Sequence, residues 1–220
     1  MAVIVGTLKS DGSTPWIYGK WVQPPAQDRS ERTFFRILDA AEGLLSQRLW
    51  HEVSVQDIVK GAEASVGSFY NRFNDKAALL HCLDDRLGKE CELTIESLIE
   101  EVGAVPMLVS SLPAITVSLL MRLCTERKGV IRALDLARKM STNEIFAGMA
   151  PRFDGALATL ADFLRGNDPV MAEYSQNSIV TAFRETFWIA RENLLYERGR
   201  FDDGEMHQTL MRHFAASLKA

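Results

Sequence analysis

From residue 30 onward, apolar side chains recur three or four positions apart, the spacing that puts them on one face of an α-helix. Phe34, Ile37, Leu38, Ala41, Leu44 and Leu45 form one such stripe and predict a helix ending near Arg48. Ser54 precedes a second, short helix that stops near Gly61; its hydroxyl can accept from an orphan amide of the first turn, and Asp57 adds favourable negative charge there. Ser65 opens a third helix over residues 66–73, in which Phe69 and Phe73 share a face. Asp75 is placed to cap a fourth, longer helix running through Leu79, Leu80, Leu83 and Leu87.

The same spacing continues downstream. Val130, Ile131, Leu134, Ala137 and Met140 form a stripe, and so do Phe153, Ala156, Leu157, Leu160, Phe163 and Leu164, which Gly166-Asn167 ends. Asp168-Pro169 reads as the start of a long helix over about 169–198, and Met206, Leu210, Phe214 and Leu218 predict a last one over about 204–218. No period-two alternation follows residue 30, so the pattern predicts an all-α fold of about nine helices. Residues 1–29 differ: two β-forming apolar runs flank the turn-like Lys9–Ser13, which suits a short hairpin or a loose arm. Residues 102–121 carry no charge and are long enough for a membrane span, but Pro106 and Pro113 each remove a backbone donor. A buried, proline-broken helical segment is the better reading.

Composition changes this picture only at its edges. The chain of 220 residues has a net charge of −4, so a nucleic-acid contact would have to be local rather than a property of the whole molecule. Cys82, Cys91 and Cys124 are odd in number and lack metal-ligand spacing, which fits a reducing cytoplasm. His207 and His213 are six apart and do not share a helical face, so no metal site and no cofactor are expected. The enzyme signatures GxSxG and HExxH and a nucleotide-binding loop are absent.

Residues 30–73 carry the chemistry. A short helix, a tight turn at Ala62-Glu63-Ala64 and another short helix form a helix-turn-helix, with Val55, Ile58 and Val59 bracing Phe69 and Phe73. The start of the third helix is then free to enter a DNA major groove. There Val66, Gly67, Ser68, Tyr70 and Asn71 would be presented: Gly67 for close approach, Ser68 and Tyr70 for phosphate oxygens, Asn71 for a base edge, with Lys76 as a nearby point charge. A helical hairpin with no DNA role fits the composition as well.

The run from Ser54 to Leu80, with its core Ser65-Val-Gly-Ser-Phe-Tyr-x-x-Phe-x-x-Lys76, resembles the DNA-binding signature of the TetR family of transcriptional regulators, as does Ile37-Leu38-Asp39-Ala40-Ala41 before it. The resemblance covers residues 32–81. It implies that residues 30–76 bind DNA, with Ser54 capping the second helix and touching a phosphate. It also implies that Ser65, Val66, Gly67, Ser68, Tyr70 and Asn71 lie on the DNA-facing helix and that Lys76 binds backbone. Further implications are a homodimer, an operator with two-fold symmetry, and residues 77–220 as a variable domain that binds an inducer. Two positions depart from the family pattern: Leu49 and Glu63 stand where glycine is common. Between Gln27 and Lys76 there are seven Lys/Arg against eight Asp/Glu, a near-neutral sum that predicts modest non-specific affinity.

In the C-terminal part, Phe183, Phe187, Trp188, Ile189 and Leu195 cannot all face one neighbour, so the helix needs two partners. The family resemblance implies that the second is the same pair of C-terminal helices in the other subunit of a homodimer; core packing within one chain is the alternative. Met121, Met140, Phe146, Phe183, Phe187 and Trp188 are candidates for an apolar ligand pocket, with Met107 and Met149 beside them, although such spacing is commoner in cores. Arg122, Arg138, Arg184 and Arg191 could anchor an anionic group. The sequence thus reads as a ligand-responsive, repressor-type transcriptional regulator that is not an enzyme; a helical binding module that has lost DNA binding is the alternative.

Overall fold

The computed structural model describes residues 28–140, 149–196 and 202–219. The hairpin or arm expected at the N-terminus lies outside them, except that Asp28 and Arg29 begin the first helix. Among the described residues there are nine α-helices and no strands, in agreement with the all-α expectation. These are α1 (Asp28–Leu45), α2 (Val55–Gly61), α3 (Val66–Tyr70), α4 (Lys76–Gly103), α5 (Leu112–Glu126), α6 (Lys128–Met140), α7 (Met149–Asn167), α8 (Gln176–Tyr196) and α9 (Asp203–Ser217).

Three boundaries differ from the periodicity. α3 ends at Tyr70 rather than Phe73, because Asp75 must adopt an extended backbone to cap α4, where its carboxylate accepts from the Ala78 amide at 2.7 Å. α4 runs unbroken for 28 residues and so joins the first three helices to the rest. The long helix starts at Gln176, not Pro169. Asp168 instead folds back on the amides of Val170 (2.8 Å) and Met171 (3.2 Å), and Ser175 caps α8 through the Ser178 amide at 3.0 Å. The uncharged stretch is a 3-10 segment, Pro106–Ser111, followed by α5, whose Leu112, Val117, Leu120 and Cys124 are buried against the body. By length and composition alone, Pro106–Glu126 could cross a membrane.

The first three helices share a core with the start of α4. Phe34, Phe69 and Phe73 are fully buried, with the Phe69 and Phe73 rings 4.9 Å apart and Phe34 stacked on Phe73 at 5.5 Å. Ile58 and Val59 of α2 join this core, so the apolar face of α2 holds α3 in place. Polar contacts then fix the group to the body. Arg86 of α4 donates to Asp39 of α1 at 2.6 Å and lies 3.5 Å from Glu42, while Arg127 pairs with Glu90 at 2.8 Å and reaches Glu42 at 3.6 Å. Burial pushes the Glu42 carboxyl above its usual range, against the pull of the two arginines.

Of the two glycine-type positions, Leu49 is unstrained (φ −76°, ψ 150°), whereas Glu63 has a φ of 48°. A side chain in that left-handed region is costly, because its Cβ crowds the backbone. Glu63→Gly is therefore expected to raise stability by about 1 kcal/mol, read by urea unfolding. A lower midpoint would show that the 3.9 Å contact of Glu63 with Arg36 outweighs the strain.

In the body, α7 lies along α4, and α8 packs on α5, α7 and α9. Phe183 meets Phe214 of α9 at 4.4 Å and Phe187 meets Phe153 of α7 at 4.8 Å. The two-faced apolarity of α8 is thus largely satisfied within one chain: Phe183, Phe187 and Leu195 are buried, and only Trp188 and Ile189 of the five keep substantial exposure.

Candidate nucleic-acid interface

The surface of interest is built by two hydroxyl caps. Ser54 accepts from the Asp57 amide at 3.1 Å while Asp57 accepts from the Ser54 amide at 3.0 Å, a reciprocal box that starts α2. These bonds to Ser54 hold the Asp57 carboxyl below its ordinary range, with the Arg48 charge assisting at 3.2 Å. Ser65 starts α3 in the same way, through the Ser68 amide at 3.0 Å. The backbone thereby turns twice within a dozen residues, and α3 emerges with Phe69 inward and its other side outward.

That outer side carries the residues singled out by sequence. Ser54, Ser65, Gly67 and Asn71 are exposed, Ser68 is half-buried, and the large apolar groups Val66 and Tyr70 stand in solvent at 42% and 54% exposure. Gly67 is informative because the fold does not require it. A Cβ there would meet only the Ser65 hydroxyl, at an ordinary 3.7 Å. A helical glycine costs up to about 1 kcal/mol relative to alanine, so packing within the described residues gives no reason for the missing side chain.

Lys76, expected as a point charge for the DNA backbone, is also engaged within the fold. Its ammonium donates to the Trp50 carbonyl at 2.6 Å and lies 3.9 Å over the Trp50 ring. Burial lowers its pKa, against the opposing charge of Asp57. The lysine therefore ties the start of α4 to the 3-10 turn Trp50–Glu52, a link between positions 26 apart that local pattern could not reveal. The near-neutral charge count is also unevenly placed. Asp39 and Glu42 are paired with Arg86 and Arg127, which belong to the body.

The candidate ligand residues do not form one set. Met140 is 78% exposed at the end of α6, and Met107 is more exposed still, so neither lines a cavity. Met121 and Phe183 are core residues, and Phe146 lies outside the described residues. Phe187, Trp188 and Met149 do line a cleft between α6, α7 and α8, and the sequence-based set missed its other walls, Ile131, Leu134 and Phe153. Their helical spacing marked them as core and gave no sign that three helices leave a gap there. All three cysteines are buried, which pushes each thiol up to about 12 and leaves no thiolate for chemistry.

Residues 37–83 match the family described as bacterial regulatory proteins, tetR family. The HTH-type transcriptional regulator EthR of Mycobacterium tuberculosis is 36% identical over 78 residues, covering 36% of this chain and 34% of that protein. EthR of Mycolicibacterium smegmatis is 34% identical over 100 residues, 46% and 44% of the two chains. The chain thus matches these curated relatives over less than half of their length. Among solved structures, NalD, the secondary repressor of the MexAB-OprM multidrug efflux pump in Pseudomonas aeruginosa, superposes with a TM-score of 0.59 at 20% identity, over 87% of this chain and 98% of its own. GusR of Salmonella enterica gives 0.55 at 19% identity, over 90% and 100%. At that identity the likeness concerns the fold.

Proposed function

The chain belongs to the TetR family of helix-turn-helix transcriptional regulators, and on that premise we propose that it represses transcription in the cytoplasm as a homodimer on a two-fold symmetric operator. Residues 30–76 form the DNA-binding head in this reading, and residues 77–220 hold the inducer site and the dimer contacts of the two C-terminal helices. The observation that carries the proposal is the outer side of α3: Val66, Gly67, Tyr70 and Asn71 are solvent-facing while Phe69 anchors the same helix in the core. In a major groove, Gly67 admits the backbone, Tyr70 and one hydroxyl of the Ser65–Ser68 pair donate to phosphates, Val66 touches base edges, and Asn71 reads one, while Ser54, whose hydroxyl donates to Asp57 at 2.8 Å, sets the start of α2 beside a phosphate. Lys76 acts chiefly by holding the Trp50 turn. An inducer releases DNA only if it prefers one relative placement of the two heads over the other.

The test starts by retaining random duplex DNA on the protein and sequencing it, followed by gel-shift titration at two salt concentrations. Tyr70→Ala should weaken binding to every duplex by about tenfold. Asn71→Ala should cost about 1–3 kcal/mol on the selected site and flatten preference at one base pair. Selection without enrichment, or unaltered titrations for both variants, would refute the proposal and favour a helical binding module without DNA.

A further inference from the structure

Three arginines, Arg138, Arg184 and Arg191, line the cleft between α6, α7 and α8. Its volume is about 140 Å³, close to the size that holds a single aromatic ring, and its apolar wall includes Ile131, Phe153 and Phe187. On α8, Arg184, Trp188 and Arg191 fall at i, i+4 and i+7, so helix geometry turns them to the same side.

Aspartates hold the guanidiniums in position. Arg184 donates to Asp154 at 3.0 Å, and Arg138 donates to the buried Asp84 at 2.8 Å. Arg191, only 8% exposed, pairs through one amino group with Asp135, yet no acceptor among the described residues reaches its buried Nε. A buried donor without an acceptor is costly, because its hydration is lost and nothing replaces it. The Arg191 guanidinium lies 4.5 Å from the centroid of the Trp188 ring, which is itself 51% exposed.

Building on the reading that residues 77–220 hold an inducer site, we propose that this cleft binds a small aromatic carboxylate. The ring packs on the Phe153–Phe187 wall, and the carboxylate accepts from Arg191, moving Trp188 as it enters. Charge selects the ligand. A carboxylate makes a charge-assisted hydrogen bond to the unpartnered Nε–H of Arg191, a neutral amide makes an ordinary one, and an amidinium brings only donors to that donor.

Benzoate, benzamide and benzamidine share a planar head but are negative, neutral and positive. The full-length protein is titrated with each at neutral pH, followed by tryptophan fluorescence and calorimetry. Benzoate should bind at least about tenfold more tightly than benzamide, and benzamidine should not saturate. Trp188→Phe should abolish most of the fluorescence change while the heat of binding persists. Arg191→Ala alone strands Asp135, so the preference is tested in Asp135→Asn/Arg191→Gln, which keeps the buried pair uncharged; benzoate should lose its advantage there. Benzoate failing to saturate below about 10 mM, benzamide equalling it, or an intact preference in the double variant would overturn the assignment. Operator binding in the same samples separates the two readings. If saturating benzoate leaves DNA affinity unchanged, the inducer role fails and the ligand class stands; if DNA binds with no benzoate site present, the ligand class fails alone.

Discussion

Replacing Gly129 with alanine is expected to lower the unfolding free energy by about 3 kcal/mol, at the upper end of what one added carbon does in a packed interior. The site is the joint between head and body, where the last turn of α1 abuts the first turn of α6. A Cβ on Gly129 would lie 2.0 Å from the Leu45 carbonyl oxygen, 2.4 Å from its carbon and 2.9 Å from the Ser46 nitrogen. All three obstacles are backbone, so no side-chain rotation relieves them and the helices must separate by more than an ångström. Separation would loosen the favourable meeting of a helix carbonyl end with a helix amide end and strain the Glu42–Arg127 contact beside it. Urea unfolding measures the loss. A change under about 1 kcal/mol would show that α1 and α6 slide apart freely.

Arg191→Ala is expected to cost a similar or larger amount, about 3–5 kcal/mol, for an electrostatic reason. Asp135 is 5% exposed and bonds Arg191; removing the guanidinium leaves a carboxylate with the Tyr196 hydroxyl at 2.9 Å and a distant Arg138 at 3.8 Å. With the bonded guanidinium gone, the desolvation of this buried carboxylate is no longer offset. Asp135→Asn/Arg191→Gln removes both charges together and should recover most of the loss, since an uncharged buried pair carries no such penalty. Thermal unfolding of the single and double variants completes the cycle. Equal losses in both would assign the role of Arg191 to packing on Trp188 instead of to its charge.

Local pattern was most informative where a residue's job concerns its near neighbours. Ser54, Ser65 and Asp75 were legible as caps because each serves an amide three positions on, and Phe69 and Phe73 were legible as a buried pair because helix geometry turns residues four apart the same way. Asp168 misled for the same kind of reason: the local signal for a turn was sound, but a single 3-10 turn answered it, and Ser175 started the helix. Lys76 shows a different limit. Nothing near it in sequence foretells a carbonyl 26 residues back. Residue type alone makes the methionines at 107 and 140 cavity candidates, while their exposure depends on where their helices end.

By itself, then, the order of apolar and polar residues determined the helices, the helix-turn-helix and the outward set Val66, Gly67, Tyr70 and Asn71, because these follow from bond geometry acting over a few residues. Only the packed chain decided that Gly129 must lack a side chain, that Glu63 is the left-handed position while Leu49 is not, and that Arg138, Arg184 and Arg191 converge on one cleft. Those outcomes depend on distances between segments far apart in sequence. Such distances are fixed by the mutual exclusion of packed volumes and the need of each buried charge for a partner, and neither has a period that can be read along the chain.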